Sequence, residues 1–99
     1  MNSLTTKMTK DLMTDHSIGT YNATDENGAI VINFTRGGID RNVMVWQKLV
    51  TNENNQTYAK WFAAGSFTVN GETRAKTSKC ATRFHDAAAP IVKWARQAV

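Results

Sequence analysis

The sequence predicts an α+β domain, an antiparallel meander of about four or five strands packed against a kinked C-terminal helix. Three observations carry this. Asn27-Gly28 and Asn70-Gly71 each stand between β-rich stretches, and Asn-Gly is a strong hairpin signal because both residues accept the positive φ of a type I′ turn. Residues 43–50 and 58–64 are rich in β-branched and aromatic side chains, which suit a pleated surface. Near the C-terminus Ala81, Phe84, Ala88, Ile91, Ala95 and Ala98 recur in steps of three and four, the spacing of one apolar helical stripe.

Taken in order, residues 3–16 suit a short helix with Ser3 as its cap and Leu4, Met8 and Leu12 on one face. The stretch is rich in Thr, a mediocre helix former, so a frayed arm is the alternative. Residues 1–17 are therefore read as an N-terminal arm or short helix, and residues 18–99 as a single α+β domain. Residues 19–24 and 29–35 form the first hairpin, with Ile30, Ile32 and Phe34 on one face. Arg36-Gly37-Gly38 then breaks the strand. The triplet matches the RGG elements of RNA-binding tails, but a single copy between strands reads as a turn, with Arg36 and Arg41 adding to a basic edge.

Residues 43–50 favour a strand, with a short helix as the alternative. A polar loop over residues 52–56 leads to the next strand, in which Gly65 reads as a bulge or a break. Residues 67–69 and 72–76 flank the second Asn-Gly turn. In the final helix Lys79, Arg83, Asp86, Pro90, Lys93 and Gln97 keep the phase opposite the apolar stripe. The stripe runs through Pro90 unchanged, which predicts one helix kinked there; a break with a new helix starting at Pro90 is the alternative.

With 99 residues, 41% hydrophobic and 20% charged, the chain reads as one globular domain. Its charge is uneven. Residues 74–99 hold six of the twelve Lys/Arg and one of the eight Asp/Glu, an asymmetry that points to an anionic partner. The cluster is densest where the second hairpin meets the predicted helix. There Lys76, Lys79 and Arg83 crowd a helix N-terminus whose first turn reads as free of carboxylates, against the usual preference of the helix dipole. Backbone N–H groups near residues 77–80, the hydroxyls of Thr77 and Ser78, and these cations make a candidate phosphate site. Arg74 joins it, and Lys93 and Arg96 extend the patch.

A second candidate is a sheet face. As strands, residues 43–50 and 57–64 place Trp46 and Lys48 on one side with Tyr58, Lys60 and Phe62. Aromatics interleaved with lysines suit a single-stranded nucleic acid, whose bases stack while its phosphates meet cations. Val43, Val45, Leu49, Ala59, Trp61 and Ala63 would then line the core. For so small a protein the stronger expectation is that Trp46, Tyr58 and Phe62 are themselves core. Trp94 reads as a packing residue.

Enzyme readings find little support. Cys80 and His85 on one helix point about 140° apart, out of reach for a nucleophile and its base, and Cys80 falls on the buried side. His16 stands alone, and no metal site or cofactor is expected. One cysteine excludes an intrachain disulfide. The opening residues lack the apolar core of a signal peptide, which predicts a cytoplasmic setting, so three Asn-X-Thr sequons are read as coincidence. No apolar run approaches the roughly 20 residues that span a bilayer, so no membrane partner is expected.

The order of strands followed by a helix opened by Ser78-Lys79-Cys80-Ala81 is similar to the double-stranded RNA-binding domain, and AP2-type DNA-binding domains share the three-strands-then-helix order. The likeness spans these four residues and transfers no functional residue. The expected function is non-catalytic binding of nucleic acid, DNA or RNA, through the basic patch. The alternative is a regulator of the phage or mobile-element type, which docks on an acidic protein surface and inhibits a host nuclease, polymerase or defence complex. Oligomeric state is not legible.

Overall fold

A computed structural model describes residues 1–97, so Ala98, the last member of the predicted stripe, lies outside the described residues. The elements are α1 (Ser3–Asp15), β1 (Asn22–Glu26), β2 (Ala29–Arg36), β3 (Ile39–Thr51), β4 (Thr57–Val69), β5 (Glu72–Thr77) and α2 (Phe84–Gln97). The strands form one antiparallel sheet in chain order, β1-β2-β3-β4-β5. The α+β meander read from the sequence is therefore present.

Local chemistry sets the turns. Asn27 and Gly28 take φ values of 55° and 86°, and Asn70 and Gly71 repeat this at 52° and 76°. Positive φ at both central residues gives the twist that two-residue hairpins need. Asp25 Oδ1 accepts the Gly28 N–H at 2.9 Å. Gly37-Gly38 closes the β2–β3 hairpin in the same way, so Arg36-Gly37-Gly38 is a turn. The loop between β3 and β4 is built on Asn52, whose Oδ1 accepts the N–H groups of Asn54 and Gln56 at 2.9 and 3.0 Å.

Both helices pack on the same face of the sheet. Ile30, Ile32 and Phe34 of β2, Val43 and Val45 of β3 and Ala63 of β4 form one buried cluster with Leu12 and Met13 of α1 and Phe84, Ala88, Ile91, Val92 and Ala95 of α2. The N-terminal segment is thus a helix docked in the main core. Its cap is Asn2 instead of Ser3, with Asn2 Oδ1 accepting the Thr5 N–H at 2.8 Å. Leu4, assigned from sequence to the apolar face, is 66% exposed; Thr9, Leu12 and Met13 are the buried positions. At the other end Ser17 takes φ 58° and the Ile18 N–H returns to the Met13 carbonyl, a Schellman-type stop that turns the chain toward the sheet.

Helix α2 runs unbroken through Pro90, which is exposed. The missing N–H would have met the Asp86 carbonyl, which on this outer side can turn to water. Gly65 is neither bulge nor break, for it pairs in register with Val43 and Lys76. A Cβ there would lie 2.8 Å from Ile91 Cγ2 and 3.2 Å from Trp94 Cζ3. Glycine lets α2 sit down on the sheet. Trp94 packs beside Phe67, with centroids 5.2 Å apart, and Trp61 meets Phe84 edge-on at 5.3 Å.

Arg41 is the one charged side chain buried among the described residues. It is buried, donating from Nη1 to the Ala95 carbonyl and from Nη2 to the Arg36 carbonyl at 3.1 Å, with its guanidinium 5.3 Å from the Phe67 ring centre. Arg41 therefore does not add to a basic edge. Its cation sits at the C-terminal turn of α2, where the helix dipole is negative and intrahelical donors run out.

Candidate nucleic-acid interface

Helix α2 begins at Phe84, which changes the first candidate site. Residues 78–80 form an extended connection, and Ala81 makes an antiparallel bridge to Trp61, the two exchanging both backbone hydrogen bonds at 2.7 and 2.9 Å. Ser78-Lys79-Cys80-Ala81 therefore precedes the helix and does not open it. The first turn of α2 contains Asp86, so its dipole is complemented in the ordinary way. The expected carboxylate-free N-terminus does not exist.

Ser78, at the centre of the proposed phosphate site, is engaged with β4. The Ser78 N–H bonds the Ala63 carbonyl at 2.8 Å, and Ser78 Oγ accepts the Ala63 N–H at 2.9 Å. These bonds extend the β4–β5 ladder past Thr77 instead of forming an anion cradle. Lys76, Thr77, Ser78 and Lys79 do share one groove, of about 380 Å³, but Cys80, Asp86, Pro90 and Ile91 line it too. Arg83 lines a different groove, with Met8, Asp11, Trp61, Phe84 and His85. Lys93 is exposed on α2, whereas Arg96 is half-buried. The predicted cluster is thus a basic edge, Arg74, Lys76 and Lys79, with Arg83 set apart. Cys80 is exposed, contrary to its expected burial.

The second candidate gains what the first loses. Register places Met44, Trp46, Lys48 and Val50 of β3 beside Ala64, Phe62, Lys60 and Tyr58 of β4. These residues alternate with Val43, Val45 and Ala63, which face the helices. Trp46, Tyr58 and Phe62 therefore lie opposite the core, correcting the expectation that they belong to it. Trp46 and Phe62 are half-buried and Tyr58 is 40% exposed.

Their geometry is ordered. The Trp46 and Phe62 rings stack across the strands, 5.9 Å apart and 14° from parallel. Lys48 and Lys60 are directly opposed in the next pair, and Val50 opposes Tyr58 in the one after. Lys60 Nζ lies 5.4 Å from the Tyr58 ring centre. Among the described residues neither lysine forms an ion pair. Like charges directly opposed on a sheet are unfavourable, so the fold bears a small cost that a bound polyanion would relieve.

The far end of this face belongs to a ribbon that outruns its neighbours. Strand β2 pairs with β3 only as far as Val45, and β5 with β4 only as far as Ala64. Residues 78–81 continue along β4 as far as Trp61, so only from Lys48↔Lys60 to Thr51↔Thr57 do the two strands pair solely with each other, about 10 Å of ribbon at the usual rise. A lone ribbon is marginal in water. Here the Trp46–Phe62 stack, a 3.2 Å hydroxyl contact between Thr51 and Thr57, and the Asn52-centred loop hold it.

The two histidines also meet, although the sequence leaves His16 standing alone. Their ring centres are 6.5 Å apart and His85 Nε2 lies 3.8 Å from Asp15 Oδ2. His16 Nδ1 is 2.9 Å from the Leu12 carbonyl. Among the described residues no three metal-ligating side chains converge, and no helix is long and apolar enough to cross a membrane.

Protein-family models, curated proteins and solved structures were all compared with this chain, and none matches.

Proposed function

We propose that this chain is a non-catalytic nucleic-acid-binding protein that carries its ligand on the uncovered face of the sheet. The observation behind this reading is the Lys48–Lys60 pair, without an ion pair among the described residues and flanked by the Trp46–Phe62 stack on one side and Tyr58 on the other. Cations between aromatic surfaces match a ligand that alternates phosphates with planar bases. Arg74 and Lys76 pair with Phe67 and Gly65 and so lie on the helix-covered side of the sheet; their edge is a separate basic surface that contributes only through longer-range charge.

Salt dependence separates the two contributions. The Lys48→Ala/Lys60→Ala variant is expected to bind a short oligonucleotide more weakly than the parent. Its log–log salt slope should be shallower by about one to one and a half, near 0.7 for each single-strand phosphate that is no longer neutralised. Lys76→Ala/Lys79→Ala should have the smaller effect. Unchanged affinity in the first variant, with weakening only in the second, would move the site to the β5 edge.

A second reading, docking on a protein in the manner of a phage-type regulator, draws on Leu49 and Met44, which are 70% and 38% exposed. Met13 is fully buried and is no part of such a surface. The same titration discriminates: no nucleic-acid binding at low salt favours the protein partner.

A further inference from the structure

We infer that the ligand is an unpaired strand, laid along the β3–β4 ribbon with its bases stacked on the aromatic side chains. This rests on the nucleic-acid reading and names the form of nucleic acid it takes. Along β4 the open-face residues are Phe62, Lys60 and Tyr58, each about 7 Å from the next because same-face residues are two strand rises apart. The Trp46–Phe62 stack is thus one platform and Tyr58 a second, about 14 Å away. The opposed lysines lie between them. A strand following the ribbon meets ring, cations and ring in turn, a length that suits about two or three bases.

A duplex cannot use this arrangement. Its bases already stack on one another within the helix, so their faces reach an aromatic platform only after being unpaired and swung out. Duplex phosphates would meet the lysines but leave Trp46, Phe62 and Tyr58 without a role. The platform is also held before binding, since the Asn52 loop bonds and the Thr51–Thr57 contact tie the ribbon end. Less ordering then opposes association.

The test is fluorescence anisotropy of the full chain with a labelled oligothymidylate, a labelled oligouridylate and a duplex of the same length. Both single strands should bind at least tenfold more tightly than the duplex. Trp46→Ala and Tyr58→Ala should each weaken single-strand binding by roughly tenfold, as expected for loss of one stacked base, while Tyr58→Phe retains it. Tyr58 lies outside the core and is 40% exposed, so its variants remain informative if Trp46→Ala disturbs the fold. Equal affinity for duplex and single strand, or full affinity in Tyr58→Ala, overturns the inference while the nucleic-acid reading stands. Absence of binding to all three probes overturns both.

Discussion

Gly65→Val should lower the stability of the domain by about 3 kcal/mol, at the upper end of the cost of overpacking a core. The Cβ would enter at 2.8 Å from Ile91 Cγ2 and 3.2 Å from Trp94 Cζ3. Neither neighbour has room to retreat, because Ile91 is fully buried and Trp94 is packed against Phe67. Helix α2 must then lift from β4 or the sheet must bend. Gly65→Ala should show a smaller loss of the same sign. Gly19→Ala is the control: nothing lies within 4 Å of the place its methyl group would take, and its φ is not positive. Urea denaturation followed by circular dichroism measures all three; parent-like stability in Gly65→Val would show that the close approach is not needed.

Arg41→Ala should cost about 2–3 kcal/mol, the range for removing a charged donor from buried partners. The substitution takes the guanidinium from the Ala95 and Arg36 carbonyls and opens a cavity against Phe67. Burial, and secondarily the charge of Arg36, lowers the Arg41 pKa from its ordinary value, but a guanidinium stays protonated near neutral pH. The carbonyl at the end of α2 therefore offsets the desolvation of the cation. Arg41→Lys keeps the charge but not the two-pronged reach, so it should fall between parent and Arg41→Ala. If the Ala variant matched the parent in urea denaturation, the cap on α2 would contribute nothing.

These two positions also mark where sequence reasoning stops. The Asn-Gly hairpins were legible because a two-residue turn is decided by the residues that make it. The stripe Phe84, Ala88, Ile91 and Ala95 was legible because helical phase is local, and all four are buried. Gly65 was misread because its reason lies in Ile91 and Trp94, far along the chain. Arg41 was misread for the same cause, since its partner Ala95 is 54 residues away. The start of α2 was misplaced because Ala81 fits the helical spacing, yet Trp61 draws its backbone into the sheet.

The candidate site was half legible. Alternation along β3 and β4 correctly put Trp46, Lys48, Tyr58, Lys60 and Phe62 on one face and Val43, Val45 and Ala63 on the other. Which face the helices would cover was not decidable from pattern, because Trp61 on the core side is as large as Trp46 on the open side. The basic cluster drew its force from a helix start that the chain does not adopt. Charge counting found an asymmetry, but it could not distinguish an edge strand and loop from a helix N-terminus.

The three tryptophans offer the most direct measurement, since Trp46 lies on the open face while Trp61 and Trp94 pack beside the core. Indole N–H resonances of the ¹⁵N-labelled chain, followed during titration with a short oligothymidylate, report on both faces at once. Binding on the uncovered sheet face predicts a large shift of the Trp46 indole, with Trp61 and Trp94 little changed. Saturable binding that shifts Trp61 or Trp94 together with the amides of Lys76 and Lys79, and leaves Trp46 unmoved, would contradict it.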